Sequence, residues 1–159
     1  MNMKKQWTLA GLLLATVSIM APALAASDRA LEAKNSFQAQ HDAILVDLNG
    51  DKYQEITQDD RHKVMEALGR IDSHLSQQGV TQIDRLPQEV AVAVFNDQNL
   101  INSILTQAAA DSRLICRREK TIGSNFPQNN CLTVAERRRQ KDQAQDDVVR
   151  LQRTPRSTN

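Results

Sequence analysis

The chain is poor in aromatic residues, and this limits the kind of hydrophobic core that it can build. One Trp, one Tyr and three Phe are the only aromatic residues among 159, and the Trp stands at position 7. Leu, Ile, Val and Ala must therefore supply most of the core. Leu and Ala favour helices, whereas aromatic residues are enriched in strands. The composition thus favours a mainly α fold in which helices pack on helices.

The first 25 residues have the three parts of a secretory signal peptide. Lys4 and Lys5 form a positive start, residues 9–20 form an apolar run, and Ala23-Leu24-Ala25 offers small residues for cleavage. The apolar run is too short to cross a bilayer comfortably, and no later run is long enough. We therefore predict a mature chain that starts at Ala26 and lies in the periplasm or outside the cell, without a transmembrane segment. An uncleaved membrane anchor is the alternative.

Apolar residues that recur at helical spacing predict three helices upstream of Ser112. The first is predicted over residues 28–48 with Ser27 as its N-cap, the second over residues 58–78, and the third from Pro87 onward. The apolar stripes are Phe37, His41, Ile44 and Leu48; Val64, Leu68, Ile71 and Leu75; and Val90, Val94, Ile101, Leu105 and Ala108, widened by Phe95 and Ile104. Unusually polar residues interrupt the third helix at Asn96, Asp97, Asn99 and Asn102.

Local capping signals mark the ends of the second helix. Thr57 with Asp60 resembles a capping box with a shorter acid, and Gly79 suits the position just after a helix C-terminus. The second helix is therefore predicted to begin at Gln58 and to end at Gln78.

The sequence pattern changes after residue 111. Residues 112–121 are predicted as a strand and residues 123–130 as a turn or loop. Thr133 and Glu136 form a capping box for a fourth helix over residues 134–152, which has almost no apolar residue in its middle.

These elements predict one small domain. We assign residues 1–25 to the signal peptide, residues 26–152 to the domain and residues 153–159 to a disordered tail. Within the domain, residues 26–111 form an acidic helical part, and residues 112–152 form a basic part. The predicted architecture is three packed helices, followed by a disulfide-closed strand and loop that lead into a basic C-terminal helix.

Two cysteines occur in the chain, Cys116 and Cys131, and both follow the predicted signal peptide. In an oxidising compartment, two cysteines most simply form one intramolecular disulfide. We therefore predict this bond.

The charge is unevenly distributed. Residues 26–112 contain seven Lys and Arg against fourteen Asp and Glu, whereas residues 113–159 contain eleven against five. The two parts can attract each other, or the basic part can contact an acidic protein or an anionic component of the envelope. A solvated face that balances the acidic helices is the alternative. The candidate binding residues are Arg117, Arg118, Lys120, Arg137, Arg138, Arg139 and Lys141.

Metal-binding patterns are incomplete. Asp47, Asn49 and Asp51 match three positions of an EF-hand loop, but Lys52 replaces the turn glycine and Gln58 replaces the final Glu. His62 and Glu66 are four residues apart, yet a zinc site needs three or four ligands. We expect no metal and no cofactor.

Catalytic patterns are also missing. The chain has no G-x-S-x-G or H-E-x-x-H motif and no phosphate-binding glycine loop, and both cysteines are predicted to be bridged. We expect no catalytic residue. A small periplasmic hydrolase or an enzyme accessory protein, built on His41 or His62 with a nearby carboxylate, is the alternative.

One segment resembles a known group of proteins. The segment consists of Cys116 followed by charged residues, then Gly123-Ser124, Cys131 and Thr133. It resembles one that recurs in small exported proteins of Gram-negative bacteria. The upstream stretches YQEITQDDRHKV and VFNDQNLINSIL are similar to exported proteins of the Xanthomonas-related group. The resemblance implies export and the disulfide, and it brings no activity and no catalytic residue.

The expected function is that of a non-catalytic binding or structural protein of the cell envelope, with its contact in the basic segment. Nucleic acid is not the expected partner, because Phe126 is the only aromatic residue between the basic residues.

Overall fold

The computed structural model describes residues 30–120 and 122–153, so the predicted signal peptide and nearly all of the predicted tail lie outside the described residues. The fold is mainly helical with one small sheet, which confirms the predicted class. Two short 3-10 turns occupy Asp51–Tyr53 and Ile83–Arg85. The main elements are α1 (Phe37–Leu48), α2 (Gln58–Gln78), α3 (Gln88–Ser112), β1 (Leu114–Lys120), β2 (Pro127–Thr133) and α4 (Val134–Arg153).

The core lies mainly between α2 and α3, which form the largest helix–helix contact. The apolar stripe predicted for α2 is fully buried, and most of the α3 stripe is buried with it. Phe95 differs from the prediction, because it points to solvent. Ile104 packs at the edge of the core. Burial of these aliphatic side chains is the main force that holds the helices together.

The ends of α2 agree with the capping signals. The Thr57 hydroxyl accepts a hydrogen bond from the Asp60 N–H at 3.0 Å. Gly79 adopts a left-handed φ of 65° and ends the helix. Both ends are therefore set by local chemistry.

The prediction for the start of α1 is wrong. The helix begins at Phe37, and residues 30–36 form a non-helical segment. Leu31 is completely buried within this segment. Its N–H donates to Asn102 Oδ1 at 2.8 Å, and its carbonyl accepts from Asn102 Nδ2 at 2.9 Å and Gln98 Nε2 at 3.0 Å. Side chains of α3 thus satisfy backbone groups that a helix would have paired internally.

These contacts also explain two of the four polar residues in the middle of α3, Asp97 and Asn102. Gln98 and Asn102 face the buried segment around Leu31, and Asp97 accepts hydrogen bonds from Arg70 of α2. The helix therefore continues without a break through a stretch whose composition disfavours a helix.

The predicted loop over residues 123–130 is wrong in its second half. Residues from Pro127 onward form β2, which pairs antiparallel with β1. Cys116 lies opposite Cys131 in this register and is bonded to it, which confirms the predicted disulfide. The strand lacks the usual β-rich composition, and its pairing with β1 compensates for this.

In the part of the chain that the structure describes, none of the helices combines the length and the apolar character needed to cross a membrane.

Candidate functional site

The basic residues lie on two elements, the disulfide hairpin formed by β1 and β2 and the helix α4. The hairpin contacts the rest of the domain mainly where its strand β2 meets α4. Side chains alternate along β1, so Arg118 and Lys120 share a face with Cys116, whereas Arg117 lies on the opposite face. All three basic side chains on β1 are exposed.

Arg137, in the first turns of α4, binds the hairpin. Its guanidinium donates to the carbonyls of Ile115 at 2.9 Å and Asn130 at 3.2 Å, and to Glu119 Oε1 at 3.5 Å. One side chain thereby bridges both strands and α4. This arginine holds the hairpin in place.

Arg138 and Arg139 bind the acidic part of the chain. Arg138 Nη2 lies 3.0 Å from Asp111 Oδ1 at the end of α3. Arg139 donates to Glu55 through Nη1 at 2.8 Å and through Nη2 at 3.3 Å. The expected attraction between the acidic and basic parts thus takes place within one chain.

Thr133 joins the same cluster at the start of α4. Its hydroxyl accepts a hydrogen bond from the Glu136 N–H at 2.9 Å, and the Glu136 carboxylate accepts one from the Thr133 N–H at 2.8 Å. This reciprocal pair is the predicted capping box. The hydroxyl also donates to Glu55 Oε1 at 2.7 Å. Thr133 therefore caps α4 and anchors it to Glu55.

The carboxyl groups bound to these three arginines are held in the ionised form. Hydrogen bonds from Arg139 and then Thr133 lower the pKa of Glu55. The Gln107 amide and then Arg138 lower the pKa of Asp111. The Asn130 amide and then Arg137 lower the pKa of Glu119. Each pair is consequently ionic at neutral pH.

The seven candidate binding residues therefore fall into two groups. Arg137, Arg138 and Arg139 have partners within the domain. The side chains of the other four make no hydrogen bond or ion pair among the described residues, and these four are Arg117, Arg118, Lys120 and Lys141.

Two large apolar side chains stand at the tip of the hairpin. Ile122 is fully exposed and Phe126 is 81% exposed. Gly123 has a φ of 86°, and the Ser124 hydroxyl accepts from the Phe126 N–H at 3.2 Å, so local contacts shape the turn. Sequence reasoning placed Phe126 in a loop and did not identify this apolar tip.

The histidines of the hydrolase alternative lie on different helices, His41 on α1 and His62 on α2. His41 packs its ring against Phe37 at 5.7 Å between centroids and contacts Asp42 at 3.1 Å. His62 is exposed and lies 3.6 Å from Glu66 on the same helix. Each histidine thus meets a single carboxylate on its own helix.

The EF-hand-like segment spans the end of α1 and the 3-10 turn that follows it. Asp47 pairs with Lys52, and Asn49 Nδ2 donates to the Leu45 carbonyl at 2.9 Å. Across residues 30–120 and 122–153, no three His, Cys, Asp or Glu side chains are grouped so that they could hold a metal ion.

Sequence reasoning missed Glu55 and Asp111 as anchors of α4. Only the capping box at Thr133 gave a local signal for this cluster. Comparison with protein-family models, curated proteins and solved structures finds no match for this chain. The function is therefore inferred from the geometry of the basic residues.

Proposed function

We propose that the chain is an exported, non-catalytic binding protein of the cell envelope that contacts an anionic partner through its disulfide hairpin. The observation that supports this most is the division of the basic residues. The side chains of Arg117, Arg118 and Lys120 form no hydrogen bond or ion pair among the described residues, although the charge of Arg117 helps to lower the pKa of Glu119, whereas the three arginines of α4 are ion-paired. The proposed contact is made by these three hairpin residues, and Lys141 of α4 is a further cation whose side chain forms no ion pair among the described residues.

The charge of the hairpin supports an anionic partner. Glu119 is the only acidic residue of the two strands, and it is already bound by Asn130 and Arg137. The unpaired cations therefore leave a local positive potential, which attracts anionic molecules and raises their association rate. Such a contact weakens as salt increases, because exposed charges are screened over about 8 Å at physiological ionic strength.

The rigidity of the hairpin supports a binding role as well. The Cys116–Cys131 bond fixes its register, and Arg137 fixes its position against α4. A surface that is ordered before binding loses less conformational entropy when the partner arrives.

Export is supported by the predicted leader and by the disulfide. Disulfides persist in oxidising compartments such as the periplasm and are rare in the cytosol. The resemblance to small exported proteins points in the same direction. We propose that residues 1–25 are removed and that residues 26–152 fold as one domain in the periplasm or outside the cell.

Chemical crosslinking in the native envelope tests the proposal. The variant Arg117→Gln/Arg118→Gln/Lys120→Gln is expected to lose capture of the partner. The control Lys34→Gln/Arg85→Gln/Arg153→Gln removes three exposed cations outside the hairpin and is expected to keep it. Equal capture by both variants contradicts the proposal.

A further inference from the structure

We infer that the anionic partner is a phospholipid surface and that the tip of the hairpin inserts into it, an inference that rests on the proposed function. The juxtaposition behind it is an apolar tip, Ile122 and Phe126, directly beyond the unpaired cations of β1.

The exposure of the tip needs a reason. Ile122 and Phe126 contribute nothing to the core, and Phe126 is one of only three phenylalanines in the chain. Exposed single apolar residues are common, but these two occur in the same short turn between the strands of a disulfide-bonded hairpin. Insertion into a lipid surface removes both side chains from water, which is favourable.

The spacing of the cations fits such an insertion. Lys120 is the last residue of β1, and Arg118 lies about 7 Å behind it, because a strand rises about 3.3 Å per residue. Apolar groups of interfacial proteins reach about 5–10 Å into the boundary between headgroups and acyl chains. With Ile122 and Phe126 at that depth, the long side chains of Lys120 and Arg118 lie within reach of the lipid phosphates.

The size of the surface favours a lipid over a protein partner. A stable protein interface buries about 800 Å² on each side and requires complementary shapes. Two apolar side chains and three cations at the end of one hairpin offer a much smaller area. A fluid, anionic surface needs no complementary shape and attracts each cation separately.

Vesicle binding measures the expected effect. Each Lys or Arg near an anionic surface increases binding about fivefold, so neutralising Arg117, Arg118 and Lys120 should weaken it by on the order of 100-fold. Removing the apolar tip should weaken binding about tenfold or more for each side chain. Vesicles of phosphatidylcholine alone should bind the unmodified protein weakly.

The experiment uses the processed chain, purified from the envelope, with vesicles that contain phosphatidylglycerol. Ile122→Ser/Phe126→Ser tests the tip. Val46→Ser/Val92→Ser is its matched control, because these valines are 72% and 64% exposed and lie on α1 and α3. The tip variant should sediment poorly with the vesicles, whereas the control should sediment like the unmodified chain. Equal binding by the two variants overturns the inference.

A gain of signal gives an independent test. The processed chain has no Trp once residue 7 is removed, so Phe126→Trp places a single indole at the tip. Its fluorescence should shift to the blue on phosphatidylglycerol vesicles and stay unchanged on phosphatidylcholine vesicles. An emission that stays unchanged on both overturns the insertion of the tip.

The outcomes separate the two proposals. If crosslinking to an envelope protein depends on Arg117, Arg118 and Lys120 while vesicles are not bound, the lipid inference is wrong and the proposed function stands. If neutralising these residues changes neither crosslinking nor vesicle binding, both are wrong.

Discussion

The Arg139 guanidinium of α4 donates two hydrogen bonds to the Glu55 carboxylate, at 2.8 and 3.3 Å, although the two residues are 84 positions apart in the sequence. Ala135 alone is buried among the 20 residues of α4, all of which the structure describes. The helix therefore gains little from apolar burial. Polar contacts of its first turns, from Thr133 to Arg139, hold it against the domain.

The stability of this attachment should depend on pH. The lowered pKa values of Glu55, Asp111 and Glu119 mean that the unfolded chain binds protons more readily than the folded chain in acid. The stability that these three carboxylates contribute to the folded chain is complete above their ordinary pKa values, 4.5 for Glu and 3.8 for Asp. This stability is lost as the pH falls through the lowered pKa values. Urea unfolding from about pH 6 down to about pH 3 measures this loss.

The matched control for this pH dependence is an exposed carboxylate that forms no ion pair within residues 30–120 and 122–153. Glu55→Gln should flatten the acid limb of the stability curve, because a group that no longer titrates cannot contribute to it. Asp72→Asn, at an exposed position of α2, removes one carboxylate outside the cluster and controls for the loss of a negative charge. Identical curves for Glu55→Gln and the unmodified chain contradict the role assigned to Glu55.

Thr133→Val should destabilise the protein by about 1–2 kcal/mol, because it removes the helix cap and the hydrogen bond to Glu55. Thr133→Ser keeps the hydroxyl and loses only a methyl group, so its cost should stay below about 1 kcal/mol. The denaturant midpoints of the two variants measure these two losses of stability. If Val is tolerated as well as Ser, the hydroxyl does not anchor α4.

Local signals predicted α2 completely. The apolar stripe from Val64 to Leu75 is buried as expected, and the bounds of residues 58–78 coincide with the structure because Thr57 and Gly79 set them. The capping box at Thr133 likewise placed the start of α4. These features depend on side chains within four residues of one another, which a sequence shows directly.

Long-range contacts account for the wrong predictions. The start of α1 depends on Gln98 and Asn102, about 70 positions away from Leu31, and β2 depends on its pairing with β1. The candidate site was predicted in part. Charge distribution indicated a basic segment, but the partners of Arg138 and Arg139 lie 27 and 84 positions upstream, beyond any local pattern.

Asn102→Ala should cost about 1–3 kcal/mol of unfolding free energy, because it leaves the Leu31 N–H without a partner. Asn99→Ala removes a similar side chain from the exposed face of α3 and should stay within about 0.5 kcal/mol of the unmodified chain. Hydrogen exchange should also speed up at Leu31 in the Asn102 variant alone. Slow exchange there would show that other contacts hold the segment.

Replacing Cys116 and Cys131 with Ser should cost about 2–4 kcal/mol, because the unfolded chain regains the freedom of the closed loop. Both cysteines are exposed, so the change leaves no cavity.

Unreduced mass spectrometry of envelope fractions should show the linked peptides and a chain that begins at Ala26. Free thiols contradict the disulfide, and a main species that retains Trp7 contradicts export by a cleaved leader.

The most direct test of the central claim compares two triple neutralisations for melting temperature and for crosslinked capture in the envelope. Arg117→Gln/Arg118→Gln/Lys120→Gln should lose capture and keep the melting temperature, because these side chains form no hydrogen bond or ion pair within the described chain. Arg137→Gln/Arg138→Gln/Arg139→Gln should lower the melting temperature, because these side chains hold α4 and the hairpin in place, and below that temperature it should weaken capture less than the hairpin variant does. The opposite pattern, with capture lost only in the α4 variant and its melting temperature unchanged, contradicts the division of the basic residues into a contact surface and an anchor.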